Sequence, residues 1–157
     1  MTDATAAPRS HGDDCPGGLP ELVVEDSPAA ADVALLEEQV AAAAIAASGL
    51  REEQEFGIFA RGDDGRVVAG ITAVVWGGCC ELQAMWVEES LRNRGLARAL
   101  VAGAEAEAGR RGCDLVMLHA YDLLVRGFYE RLGYETVGVI ENCPAGSAAR
   151  WYRKACP

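Results

Sequence analysis

The sequence predicts an α/β (α+β) fold, a single sheet layer with mixed strand directions and helices packed on it. Three observations predict it. Strand-like and helix-like segments follow one another in the order β, α, three strands, α, β, α, two strands. Asp63-Asp64-Gly65 is a hairpin signal between two strand segments. The basic turn Arg92-Asn93-Arg94-Gly95 leads from an apolar strand pattern directly into a strong helix pattern. At 157 residues, 50% of them hydrophobic, the chain suits one domain with a sizeable core.

The elements follow in order. Residues 1–20 are small, polar and broken by Pro and Gly, and are expected to form a flexible tail ahead of a domain spanning 21–157. Glu21 to Glu25 reads as a first strand. Ala29 to Ser48 reads as a helix, with Val33, Leu36, Val40 and Ala44 at helical spacing and Gly49 as its stop. Phe56 to Ala60 and Val67 to Trp76 flank the hairpin turn. Gly77-Gly78 breaks the run before a strand at Glu81 to Val87. A helix is expected from about Gly95 to Arg110, then a buried strand over Leu115 to Ala120. Asp122 is a candidate N-cap for a helix over Leu123 to Leu132, which Gly133 ends. Tyr134 to Ile140 and Arg150 to Lys154 read as the last two strands.

Composition narrows the function. A formal net charge of −10 disfavours nucleic-acid binding, which needs a broad basic face, and favours cationic partners such as amines. No apolar run is long enough to span a membrane, and the first residues lack the apolar stretch of a secretory leader, so the expected location is the cytoplasm. The six cysteines form no C-x-x-C pair and only two histidines are present, so no metal site is expected and the thiols are expected to be reduced. Cys79 and Cys80, adjacent on a strand, point to opposite faces.

The turn from Arg92 to Arg98 aims free backbone N–H groups at one spot and adds positive charge to an otherwise acidic chain. That arrangement attracts phosphate. Arg92-x-x-Gly95-x-Ala97 resembles the Q/R-x-x-G-x-G/A motif of the GCN5-related N-acetyltransferases (GNAT), which bind the pyrophosphate of acetyl-CoA there. A second segment, Gly127 to Tyr134 (GFYERLGY), resembles that family's F-Y-x-x-x-G-F/Y pattern at the expected separation. The chain is identified as similar to small bacterial-type members over roughly residues 21 to 155.

The resemblance implies a mixed, mostly antiparallel sheet splayed between the strands at 81–87 and 114–120 to admit the cofactor. It implies acetyl-CoA as co-substrate and a small-molecule or peptide amine as acceptor, attacked directly in a ternary complex, with a homodimer as a frequent assembly. By the same resemblance, Arg92, Asn93, Arg94, Gly95, Leu96, Ala97 and Arg98 hold the pyrophosphate, and Met85, Trp86 and Val87 lend backbone bonds to the pantetheine arm. Tyr129 is the general acid for the leaving thiolate.

The resemblance also implies a candidate base: some family members carry a glutamate eleven positions before the phosphate motif, here Glu81, and others use a water chain instead. On a regularly alternating strand Glu81, Gln83 and Met85 share one face. His119 and Tyr121 lie at the carboxyl end of a strand, where ligands gather in open sheets, and with Trp76 and Trp151 they are candidates for the acceptor pocket. Many relatives carry an asparagine between this strand and the Tyr129 helix, where this chain reads Ala120-Tyr121-Asp122-Leu123-Leu124. A non-catalytic CoA-binding module on the same fold is the rival interpretation.

Overall fold

The computed structural model describes residues 20–49 and 53–156. The expected tail, except Pro20, lies outside the described residues, as does Cys15. Two compact units divide the chain, residues 1–44 and 45–157. Helix α1 (Ala30–Ser48) begins in the first and ends at Gly49, as expected from its spacing. The expected strand at Glu21 to Glu25 does not form. Those residues are exposed coil. A strand needs a paired neighbour to satisfy its backbone, and a short apolar run does not provide one.

The second unit holds six strands: β1 (Gln54–Arg61), β2 (Val67–Trp76), β3 (Cys79–Val87), β4 (Leu115–Tyr121), β5 (Glu135–Glu141) and β6 (Ala148–Ala155). They form one sheet in the order β1-β2-β3-β4-β6-β5, antiparallel except for the β3–β4 pair. The hairpin turn closes with Gly65 at φ 78° and a bond from the Gly65 N–H to Gly62 O of 2.9 Å. All five described cysteines are free, and burial followed by the neighbouring thiols pushes the Cys80 thiol up to about 12.

Helix α2 (Leu96–Arg110) covers one face of the sheet. Leu100, Val101, Ala104, Glu105 and Ala108 form its buried stripe, the spacing a helix needs to lay one side on a sheet. They pack with Ala69, Ile71, Ala73, Val116 and Leu118 in the core. Glu105 is buried there with a partner: Lys154 of β6 donates to both carboxylate oxygens at 2.9 Å and to Leu132 O at 2.9 Å. This interaction ties α2 to β6 and to the chain just before β5.

The single helix expected over Leu123 to Leu132 is two short ones, α3 (Asp122–Val125) and α4 (Phe128–Arg131). Gly127, at φ 69°, breaks the chain between them. Asp122 is the first residue of α3, and the free N–H of Leu123 in its first turn donates to Ser147 Oγ at 3.2 Å, so a distant serine and not Asp122 satisfies that end.

Candidate active site

Strands β3 and β4 pair only at Cys79–Leu115, Cys80–Val116 and Glu81–Met117. Beyond that point β3 continues to Val87 and β4 to Tyr121 with no ladder between them. The sheet is therefore splayed where the sequence resemblance implied, and each arm of the opening presents unpaired backbone groups to the other. A bulge coincides with the divergence: Ala73 pairs with Leu82 and Thr72 with Ala84, leaving Gln83 as the extra residue. Bulges bend the strand that carries them.

The bulge also corrects the expected face assignment. Directly paired residues on neighbouring strands share a face. Cys80, Leu82, Met85 and Val87 pair with Val75, Ala73, Ile71 and Ala69, the core face. Glu81, Ala84 and Trp86 pair with Val74, Thr72 and Gly70, the opposite face. Glu81 and Met85 thus lie on opposite faces, because the extra residue reverses the alternation between them.

At the open end, β3 passes through a single 3-10 turn (Glu89–Leu91) into the basic turn. The Arg92 guanidinium donates from Nε to Val87 O at 3.1 Å and so braces the turn against the strand end. Asn93 and Gly95 take φ of 60° and 84°, and Gly95 is the N-cap of α2. The first helical bond runs from the Ala99 N–H to Gly95 O at 3.0 Å, which leaves the N–H groups of Leu96, Ala97 and Arg98 without intrahelical acceptors. No acidic residue occupies the first turn, and no side chain caps it. A Cβ at Gly95 would meet nothing within 4 Å, so the space before the helix is open. Such a terminus suits an anion, and these groups fit a diphosphate.

Tyr129 on α4 lies on the α2 face. It is 6% exposed, with Phe128, Tyr134 and Tyr152 ring centroids at 5.0, 5.6 and 5.4 Å. Burial pushes its phenol above the ordinary value, so the group holds its proton throughout the neutral range. Behind it, the Tyr152 hydroxyl donates to Glu130 Oε1 at 3.1 Å; burial and this bond push Tyr152 up to about 12.

His119, Tyr121 and Trp151 gather on the other face, the one that also carries Glu81. Glu81 pairs with Met117, and His119 and Tyr121 follow it at alternate positions along β4. His119 pairs with Trp151, and their rings stack at 5.6 Å and 24°. Tyr121 meets His119 edge-on at 5.5 Å and 87°. Trp86 is on this face across the opening, half exposed. Trp76 shares the face but not the place: it pairs with Cys79, at the closed end of the split.

One feature of the site is absent from the sequence expectations. Arg150 donates from Nε and Nη2 to the two Asp122 carboxylate oxygens at 2.6 and 3.0 Å. The pair clamps the end of β4 to β6 where α3 begins, and Arg150 holds the Asp122 carboxyl below its usual range. The residues are 28 apart, so no local pattern announces the contact. Asp122 therefore braces the strand ends and does not serve as the expected cap.

A split mixed sheet with an uncapped helix terminus at its open end is the arrangement the sequence resemblance implied. The model of the Acetyltransferase (GNAT) family matches residues 21–134, and the chain belongs to that family. It is 29% identical over 110 residues to Acetyltransferase Atu2258 of Agrobacterium fabrum, covering 70% of this chain and 80% of the relative. It is 30% identical over 97 residues to the Blasticidin-S acetyltransferase of Streptomyces morookaense, covering 61% and 71%. Among solved structures, an acetyltransferase candidate from Agrobacterium tumefaciens superposes with a TM-score of 0.81 at 26% identity, over 87% of this chain and 99% of the other. An aminoglycoside 6'-N-acetyltransferase complexed with coenzyme A superposes at 0.56 with 25% identity, over 66% and 73%.

Proposed function

We propose that the protein, through the domain formed by residues 21–157, transfers an acetyl group from acetyl-CoA to the primary amine of a small molecule by direct attack. One observation carries this reading: the unpaired N–H groups at the α2 terminus adjoin the only break in the sheet among the described residues. Two relatives support the cofactor and the acceptor class, since one is named for blasticidin S and another is a complex of an aminoglycoside acetyltransferase with coenzyme A.

In this mechanism the diphosphate is bound by the N–H groups of Leu96, Ala97 and Arg98, with Asn93, Arg94 and Gly95 shaping the turn. The backbone of Met85, Trp86 and Val87 holds the pantetheine arm along the open edge of β3. The thioester spans the split, with its sulfur toward Tyr129 and its carbonyl toward the face that carries Glu81 and His119.

An alkyl ammonium of pKa ~10.4 is neutral in only roughly one molecule in a few thousand at pH 7, so a proton acceptor matters. Glu81 takes the proton, directly or through water, with His119 beside the path. The amine nitrogen bonds to the carbonyl carbon, the carbon–sulfur bond breaks, the thiolate takes its proton from the Tyr129 hydroxyl, and the nitrogen gives up its second proton through water, which restores the phenol. Among the described residues no helix is long and apolar enough to cross a membrane; we place the enzyme in the cytoplasm.

The test is thiol release from acetyl-CoA with a panel of primary amines. Amine-dependent release with acetylated product supports the proposal. Coenzyme A binding with no acetylation of any amine would instead favour a non-catalytic module.

A further inference from the structure

The outer face of the split carries more aromatic surface than acyl transfer alone requires. An ammonium needs a carboxylate and a base, which Glu81 supplies. Yet the open end of β4 and β6 presents three rings in one place. His119 and Trp151 are stacked, and Tyr121 stands perpendicular to His119. Together they make a two-walled corner.

Two of the cross-strand partners of these rings are small, while Met117 and Arg153 flank the group on the side toward Glu81. Tyr121 pairs with Ala149, and Trp151 pairs on its other side with Gly138, where a Cβ would lie 3.9 Å from the Trp151 Cβ. Tyr121 and Trp151 each keep 36% of their surface exposed. A sheet face that packs only against protein buries its large aromatics. Here they stand open beside the split, on the same face as Glu81.

We infer that the acceptor is an amine carried on a planar, unsaturated ring, and that Tyr121 and Trp151 select it by stacking while its amino group reaches toward Glu81. This rests on the acyl-transfer function proposed above. A flat ring laid in this corner stacks face-on against one wall and meets the other edge-on, whereas a saturated ring of the same size offers neither a flat face nor a π-system. Stacking contacts of this kind contribute enough to change affinity by about tenfold. The acidic chain, at net charge −10, complements the charge of the amine.

The test compares two probes of like charge and size, benzylamine and cyclohexylmethylamine, using the full chain with acetyl-CoA. The expected result is a kcat/KM for benzylamine about tenfold higher, carried by KM. The paired substitutions Tyr121→Leu and Trp151→Leu should bring the ratio close to one, while Trp151→Phe preserves it. Equal kcat/KM values for the two amines, or a preference that survives the double substitution, would overturn the inference while leaving acyl transfer intact.

A second measurement covers the case in which neither probe is acetylated. Benzylamine should quench tryptophan fluorescence saturably and cyclohexylmethylamine should not, with the quenching lost in Trp151→Leu. Equal quenching by both amines, or by neither, overturns the inference. Failure of the acyl-transfer proposal itself is read separately, from the amine panel, as the absence of acetylated product with every amine tested.

Discussion

The two faces of the sheet at the split differ in kind. On the α2 side, Leu118, Val116 and Tyr129 are almost wholly buried, and the turn is held by main-chain geometry. On the other side Tyr121, Trp86 and Trp151 stand partly exposed around Glu81. The first face is set by packing and backbone, so it tolerates little change. The second is set by exposed side chains, which can vary without unfolding the sheet. In the proposed mechanism cofactor use belongs to the rigid face and acceptor choice to the variable one, so substitutions on the two should fail in different ways.

The largest effect is expected at Tyr129. Tyr129→Phe keeps the ring cluster but removes the proton donor. A loss of about 100-fold or more in kcat should follow, with a melting temperature close to that of the parent. In the parent, the raised Tyr129 pKa keeps the acid form present up to pH ~10, so activity should show no alkaline fall from this group below that point.

Next comes Gly95→Val. It places a Cβ on a residue at φ 84°, which costs roughly 1–2 kcal/mol if the turn is kept. Calorimetry should show coenzyme A affinity reduced about tenfold, with the KM for the amine nearly unchanged.

On the outer face, Glu81→Gln should lower kcat less than Tyr129→Phe does, roughly tenfold at pH 7, because water can carry the proton. The loss should shrink at higher pH, as more of the amine is neutral without help. A loss that is the same at every pH would remove Glu81 from proton transfer.

The smallest effect is on stability. Asp122→Asn weakens the clamp to Arg150. Because Arg150 lowers the Asp122 pKa in the folded chain, the stabilisation is fully present above the ordinary aspartate value of ~3.9. It is lost as pH falls through the depressed folded value. Thermal melts should therefore separate parent and variant at pH 7 and converge in acid.

What the sequence revealed divides along the same line. The helix terminus was legible because its causes are local: Gly95, the arginines and the apolar stripe of α2 lie within one stretch. The splay followed from the family resemblance and not from any local pattern. The bulge at Gln83 was illegible, since it is a property of pairing with β2, and it moved Glu81 to the face opposite Met85. The break at Gly127 had a visible signal, a glycine inside a helical pattern, which the regular spacing of Phe128 and Leu132 obscured. The Asp122–Arg150 clamp joins positions that only the folded sheet brings together.

Hydrogen exchange with and without coenzyme A tests the two-faced arrangement most directly. Slowed exchange is expected at the amides of 94–98 and along 85–87, with residues 67–76, already paired on both sides, unchanged. Protection absent from 94–98, or found only on β5 and β6, would contradict it.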